Sequence, residues 1–369
     1  MLESATFHEE AVSSSIRFLE SLLSGYELRD FAVRFWDGSY WGNSRNPSFT
    51  LVLNHPGALR HMFSSASELS FGEAYVYGEF DLEGDWERAF GLADFLLHAE
   101  QRITQKLHTG ALFLKLPDSS RPHESRSSQL HGMQHSRERD REAIAFHYSL
   151  PSDFYSLWLD KRMVYSCAYF KTGSESLDQA QEQKLDYICR KLRLHQGEQI
   201  LDLGCGWGGL MSYAASRYGV TAAGITLSEP QAEFARARFR ELGLTDRCKV
   251  ANSDYRDFAP SEQYDKLVSV GMFEHVGEAL LPDYFRRAWS LLRPGGVFLN
   301  HGIAASANYV RKGPSFIDKY VFPDGDIVPL NITLRAAETS GFEVRDVENL
   351  REHYALTLDH WRRLLEANK

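Results

Sequence analysis

Cysteine is scarce in this chain: four in 369 residues, Cys167, Cys189, Cys205 and Cys248, none at CxxC or other metal-ligand spacing. That spacing argues against a disulfide framework and a thiolate metal site, and a reducing cytosol is the expected compartment. Long apolar runs are lacking too, since none approaches the ~20 residues that a helix needs to cross a bilayer. Basic residues are outnumbered, 41 Lys and Arg against 50 Asp and Glu, for a net charge of -9. A nucleic-acid binder would show a basic excess, so no nucleic-acid partner is expected, and an anionic membrane would not attract the molecule as a whole. The amino terminus carries Glu3, Glu9 and Glu10 and no basic segment followed by an apolar core, so it does not read as a secretory signal. If the substrate is a lipid, the protein must visit the membrane from outside.

What is present is ordinary globular composition, 43% hydrophobic and 25% charged, in a chain long enough for two domains. Residues 1–115 form one expected unit. Val12, Ile16, Leu19, Leu22 and Leu23 recur at helical spacing, and 31–35 and 48–53 look like strands of a small sheet. The first helix reads as core rather than membrane anchor, because its polar face is acidic and lacks the Lys and Arg of an interfacial helix. Residues 116–141 are too polar to bury a core and read as a linker. From 142 to 369 strands and helices alternate, which implies a parallel sheet. Strands are expected at 199–203, 220–226, 247–251, 265–271, 296–302 and 342–348, and helices at 207–218, 229–242 and 279–292.

The densest signal is Gln199-Ile200-Leu201-Asp202-Leu203-Gly204-Cys205-Gly206-Trp207-Gly208-Gly209, an apolar run ending in an acid and a glycine turn. It reads as a strand delivering a ligand loop. Alternate glycines leave no side chain between backbone and ligand, and the next helix presents unpaired N–H groups at its start. Gly204-x-Gly206-x-x-Gly209 also satisfies the dinucleotide fingerprint, so the motif alone does not separate a nicotinamide or flavin enzyme from a methyltransferase. Asp202 shifts the balance toward the latter. So does the end of the next strand, Gly224-Ile225-Thr226, which has no acid for a dinucleotide ribose.

Seven further segments carry a resemblance. Phe146-His147-Tyr148-Ser149, Asp153-Phe154-Tyr155, Tyr165-Ser166-Cys167-Ala168-Tyr169-Phe170, Leu201 to Gly208, Gly224 to Ser228, Met272-Phe273-Glu274-His275-Val276-Gly277 and Tyr320-Val321-Phe322-Pro323-Asp324-Gly325 occur in this order, and Gly72 to Asp81 adds an amino-terminal match. The chain resembles the cyclopropane fatty-acid synthase family of S-adenosylmethionine (SAM)-dependent methyltransferases. The resemblance implies an α/β fold with a Rossmann-like class I sheet, helices on both faces, and a smaller N-terminal α+β domain. It also implies a SAM site at Tyr165, Ser166, Asp202, Gly204, Gly206, Gly208, Thr226, Leu227 and Gln231, with Tyr255 and Arg256 beside the adenine.

The family chemistry adds a methylene to a cis double bond. The alkene attacks the SAM methyl, and the resulting carbocation loses a proton to a bound bicarbonate as the ring closes. Matching positions for that anion are Cys167, Glu274, His301, Ile303 and Tyr354, with Cys167 and Ile303 contributing main-chain groups. The implied partners are unsaturated phospholipid acyl chains at the inner membrane face, approached transiently from the cytoplasm, and a homodimer is compatible with the sequence. Glu274-His275 is not read as a metal site, since neighbouring helical residues face different ways and no second His or Cys sits at ligand spacing. Tyr309, Phe316, Tyr320 and Phe322 could line an acyl channel or simply pack.

Other readings stay open at this level: C-methylation of an acyl chain to a branched product, methylation of a small amine, or lipid binding without catalysis. Family members continue for several tens of residues past the Trp361 helix and supply a final antiparallel strand. The expectation is therefore a truncated chain with the strand at 342–348 lacking its neighbour, the fifth strand presenting an open edge, and impaired stability. Thermal unfolding followed by circular dichroism is expected to show no cooperative transition; a cooperative one overturns that expectation.

Overall fold

The computed structural model describes all residues except 1, 28–29, 66, 99–102, 119–126, 129, 149, 311–314 and 369. Much of the segment read as linker (119–126 and 129) and Ser149 of the Phe146–Ser149 match therefore lie outside the described residues. The chain divides into two compact units, Met1–Ser127 with Gly313–Tyr320, and Ser128–Lys312 with Val321–Lys369.

The first unit holds a mixed sheet of β1 (Ala32–Arg34), β2 (Tyr40–Gly42), β3 (Phe49–Leu53) and β4 (Phe80–Gly84), in the order β2-β1-β3-β4. All five residues of β3 are buried, which suits an apolar run in the sheet interior. The helix Leu2–Leu22 contributes Phe18 and Leu19 to a core with Val33, Phe49, Leu53 and Leu59, so it is a core element, as its acidic polar face predicts. A buried carboxylate organises the turn before β4: Glu79 Oε2 is bonded to Nε2 of His55 and lies 2.7 Å from Nδ1 of His61. The Gly57 N–H donates to His55 Nδ1 at 3.2 Å. That contact places the His55 ring proton on Nε2, where it faces the carboxylate, and suits a hydrogen-bonded clamp rather than a metal. Helix Phe316–Tyr320 also belongs to this unit: Phe316 packs on Gly72, where a Cβ would meet its ring at 2.2 Å, and the Tyr320 hydroxyl donates to Glu73 at 2.8 Å.

The second unit is built on β5 (Gln199–Leu203), β6 (Thr221–Thr226), β7 (Cys248–Asn252), β8 (Tyr264–Val270) and β9 (Leu292–His301). All neighbours are parallel, in the order β7-β6-β5-β8-β9. Strand residues alternate between two cores. Ile200, Ala222 and Val268 face one that includes Leu185, Met211 and Phe239; Leu201, Ile225 and Leu267 face the other, with Tyr284, Phe285 and Ala288. Both faces are thus covered by helices, the condition a parallel sheet requires. The chain winds from β5 outward to β7, then crosses to β8 and β9, so the switch point lies at the carboxyl ends of β5 and β8.

Three sequence expectations need correction. Residues 342–348 form no strand: Phe342 and Val344 pack on the second core, while Lys191 pairs with Asp346 and Glu348 and holds the segment extended beside helix Leu177–Lys191. Alternating apolar residues satisfied side-chain burial there, and no neighbouring backbone completes a ladder. Helix Arg137–His147 begins inside the stretch read as linker, because Ser136 caps it by accepting from the Arg139 N–H at 3.4 Å. The strand expected at 296–302 starts earlier, at Leu292, and a register shift opposite Tyr264 to Lys266 accommodates Pro294-Gly295-Gly296.

Replacing Glu79 by Ala strips two imidazoles of their acceptor. The variant is expected to lose about 2–3 kcal/mol of stability, read from chemical denaturation of the first unit's tryptophan signal.

Candidate functional site

The carboxyl ends of β5 to β8 open into one cavity lined by Tyr165, Ser166, Lys184, Asp202, Gly204, Gly206, Thr226, Leu227, Gln231, Tyr255 and Arg256, among others. Ten of the eleven residues expected at a SAM site line it. Gly208 does not. It caps helix Gly209–Tyr218 at φ 76, and a Cβ there would meet the Phe239 ring at 2.8 Å, so its glycine is required by packing. Gly204 is the wall glycine: at φ +87 it turns the chain out of β5, and a Cβ would lie 2.8 Å from Cβ of Met272.

On one side of the cavity Thr226 Oγ1 donates to Gln231 Oε1 at 2.8 Å, which orients the amide and leaves its Nε2 as the donor for a ligand hydroxyl. After β7, Arg256 is locked by protein groups. Its Nε and Nη2 bond Asp254 at 2.8 and 2.5 Å, Nη2 also bonds Asp140 at 2.8 Å, and Nη1 donates to the His135 carbonyl at 3.0 Å. Arg256 is therefore a positioning residue that ties 135–140 to the end of β7, and the paired Asp254 carboxyl is held below its ordinary range by that guanidinium despite burial. Tyr255 is the flat face on this side, packed edge-on to Tyr284.

The opposite side is aromatic and charged. Tyr165 sits among Trp158, Trp361 and His147, with centroids 5.1, 5.3 and 5.7 Å away. Tyr148 and Trp207 join the same wall at 5.9 Å. Ring faces of this kind favour a cationic ligand and exclude water. Lys184, on the buried stripe of helix Leu177–Lys191, donates to Ser166 Oγ at 2.9 Å. Burial pulls its ammonium down to about 8 and pushes the neighbouring Asp202 carboxyl up to about 7.

The residues expected to hold an anion, Cys167, Glu274, His301, Ile303 and Tyr354, do not line this cavity. Glu274 Oε1 accepts the Ile303 N–H at 2.8 Å, while its Oε2 is buried with no hydrogen-bond partner among the described residues. A Cβ on Gly302 would come within 3.0 Å of the Glu274 carboxyl carbon, so the turn 301–303 closes over it. Glu274 is an electrostatic neighbour of Tyr148 and Tyr354, and Tyr354 of Cys167. Cys167 Sγ donates to the Ala168 carbonyl at 3.3 Å, and burial pushes the thiol up to about 11, which makes it inert packing as a side chain. His301 ends β9, and burial, with Lys184 nearby, pulls its imidazole down to about 4, so the ring is neutral at pH 7. The structure thus gathers Glu274, Ile303, Tyr354 and Cys167 through a chain of neighbours and links His301 to them by Lys184. The Ile303 N–H serves Glu274, which leaves its carbonyl as the main-chain group open to a ligand.

Of the aromatic stretch, Phe322 packs on His147, 4.3 Å away between ring centroids, and His147 in turn stacks on Tyr165. Phe316 and Tyr320 belong to the first unit, and Tyr309 is exposed. Lys184, Asp140, Asp254 and Tyr148 were missed as site residues. Lys184 had a signal: it interrupts the apolar stripe Leu177, Ala180, Leu185, Ile188 with a charge.

Residues 135–369 match the family model described as mycolic acid cyclopropane synthetase, and 18–93 match a domain of unknown function, DUF7884. The chain is 40% identical over 338 residues to a probable fatty acid methyltransferase of Pseudomonas putida, covering 90% of this chain and 80% of that protein. It is 40% identical over 215 residues to the cyclopropane-fatty-acyl-phospholipid synthase of Escherichia coli K12, covering 58% of this chain and 54% of the E. coli protein. The solved mycolic acid cyclopropane synthase CmaA1, complexed with SAH and CTAB, superposes with a TM-score of 0.58 at 33% identity over 62% of this chain and 84% of that one.

Burial holds the Glu274 carboxyl up at about 7, above its ordinary 4.5. The stability linked to this raised group is present in full below pH 4.5 and is lost as pH rises through 7. Glu274→Gln removes that loss, so the variant should gain about 2–3 kcal/mol on wild type between pH 4.5 and 8, by urea denaturation at both values.

Proposed function

The chain belongs to the mycolic acid cyclopropane synthetase family of SAM-dependent methyltransferases, and from that premise we propose that it transfers a methylene to cis double bonds in phospholipid acyl chains, forming cyclopropane fatty acids. The observation that carries this reading is Glu274 Oε2, buried and without a hydrogen-bond partner among the described residues, with Tyr148 of the cavity's aromatic wall as an electrostatic neighbour. An acceptor left open there suits a small hydrogen-bonding anion such as bicarbonate, which a small-amine methyltransferase would not need. When bound, SAM supplies an electrophilic methyl group and bicarbonate a base for the proton released after its transfer.

The residues divide the work by what they can hold. Tyr255, Gln231 and Thr226 would receive the nucleoside, and the turn at Gly204 and Gly206 lets the backbone approach it. Tyr148, Tyr165 and Trp207 keep water from the reacting carbons and favour positive charge near their faces. An alkene is a weak nucleophile with no proton to remove beforehand, so this positioning and drying is where rate acceleration has to come from. Glu274, His301 and Tyr354 would hold the anion. Neutral His301 offers one donor and one acceptor, and Tyr354, pushed up to about 12 by burial, remains a phenol that donates. Ile303 acts by fixing Glu274 Oε1 so that Oε2 stays directed to the anion.

No described helix is long and apolar enough to cross a membrane, so the acyl chain would be reached from the membrane surface, with the protein visiting from the cytoplasm. The name of the Pseudomonas relative supports a second reading, C-methylation of the acyl chain to a methyl-branched product.

Incubation with SAM and vesicles of cis-unsaturated phosphatidylethanolamine should add one CH₂ per acyl chain with loss of the double bond, seen by mass spectrometry after double-bond derivatisation. A branched product of the same mass moves the assignment to the second reading. Glu274→Gln should lower turnover at least ~100-fold with SAH affinity within about threefold of wild type; undiminished turnover removes Glu274 from the chemistry.

A further inference from the structure

Two opposite charges on the cofactor cavity are electrostatic neighbours of one another, yet both are short of the hydrogen bonds that burial demands. Lys184 is 3% exposed, lines the cavity, and among the described residues makes one hydrogen bond, to Ser166 Oγ at 2.9 Å, and no ion pair. An ammonium has three donors, so two remain to be satisfied. Asp202 is 4% exposed, lines the same cavity, and has no side-chain hydrogen bond or ion pair among the described residues. The third charge nearby, Asp160, behaves differently: its oxygens accept the Arg162 and Val164 N–H groups at 2.9 and 2.8 Å, so it is satisfied by the backbone. Buried charges with unfilled hydrogen-bonding capacity are costly even when an opposite charge is near, and a ligand that fills that capacity removes the cost.

The ends of the cavity are chemically distinct. Tyr255, Gln231 and Thr226 offer a ring face and neutral hydrogen bonds, which suit a nucleoside. Lys184 and Asp202 offer a cation and an anion, which match an α-amino acid zwitterion, carboxylate to ammonium and ammonium to carboxylate.

We propose that Lys184 is a cofactor-binding residue, its ammonium receiving the α-carboxylate of the SAM methionyl tail while Asp202 takes the α-ammonium. Ser166 then acts with Lys184, its hydroxyl fixing the Nζ position. This assignment deepens the SAM reading and rests on it. Its consequence is a cofactor specificity that depends on the carboxylate and not only on the nucleoside.

Three ligands separate the parts by isothermal calorimetry on the full chain: SAH; decarboxylated SAH, which keeps the amine and lacks the carboxylate; and 5′-methylthioadenosine, which lacks both. Wild type should bind decarboxylated SAH at least ~30-fold more weakly than SAH. Lys184→Met should lose a similar factor for SAH and bind decarboxylated SAH within about threefold of wild type. Equal weakening of SAH and both analogues in the variant overturns the proposal, because a general structural role lowers all three together. Unchanged SAH affinity overturns it as well. Should Lys184→Met not fold, wild type alone still decides: SAH and decarboxylated SAH bound equally well refutes a carboxylate contact. Wild type that binds none of the three ligands refutes the SAM reading itself, a different failure.

Discussion

Both faces of the parallel sheet β5 to β9 must be buried, and the rest of the second unit follows from that constraint. Helices cover each face, two separate cores form, and ligand-facing polar groups gather at the edge where the strands end. Asp202, Thr226, the Ser253–Arg256 turn, Met272 and His301 all leave their strands at this carboxyl edge. Because winding reverses between β5 and β8, the loops there part rather than cross, and a cavity opens beside Gly204.

Burying charge at that edge sets the character of the site. Arg256 is fully engaged by Asp254, Asp140 and a backbone carbonyl, so it stabilises the wall. Lys184 and Asp202 are not so engaged, and their charges stay directed at whatever occupies the cavity. Glu274 is an intermediate case, with one oxygen satisfied by Ile303 and the other open. Ion pairs closed within the protein stabilise the wall; half-closed groups keep hydrogen-bonding capacity that a ligand could fill. The same distinction explains Cys167, whose side chain is packing even though its position adjoins the anion set.

The sheet was largely legible because its strands are short apolar runs bounded by glycine and proline, and because the glycine turn after Asp202 permits few alternatives. The expected strand at 342–348 failed for a related reason. Alternation of Phe342 and Val344 reports which side chains seek burial, but a ladder also needs a neighbouring backbone, and sequence alternation says nothing about that. The polar stretch 116–141 misled in the opposite direction. Its charges look solvated in one dimension, yet Asp140 is buried because Arg256, more than a hundred residues later, folds onto it.

Local sequence by itself determined the nature of the elements, the order of the motifs and the turn at Gly204, since these depend on periodicity, capping and backbone freedom within a few residues. Only the tertiary structure decided that Gly208 serves packing, that Phe316 and Tyr320 join the first unit, that Ile303 supports Glu274, and that Lys184 stands beside Asp202. Those outcomes depend on which distant groups share a low-dielectric interior, where an unpaired charge is costly. That neighbourhood comes into being only when the chain closes.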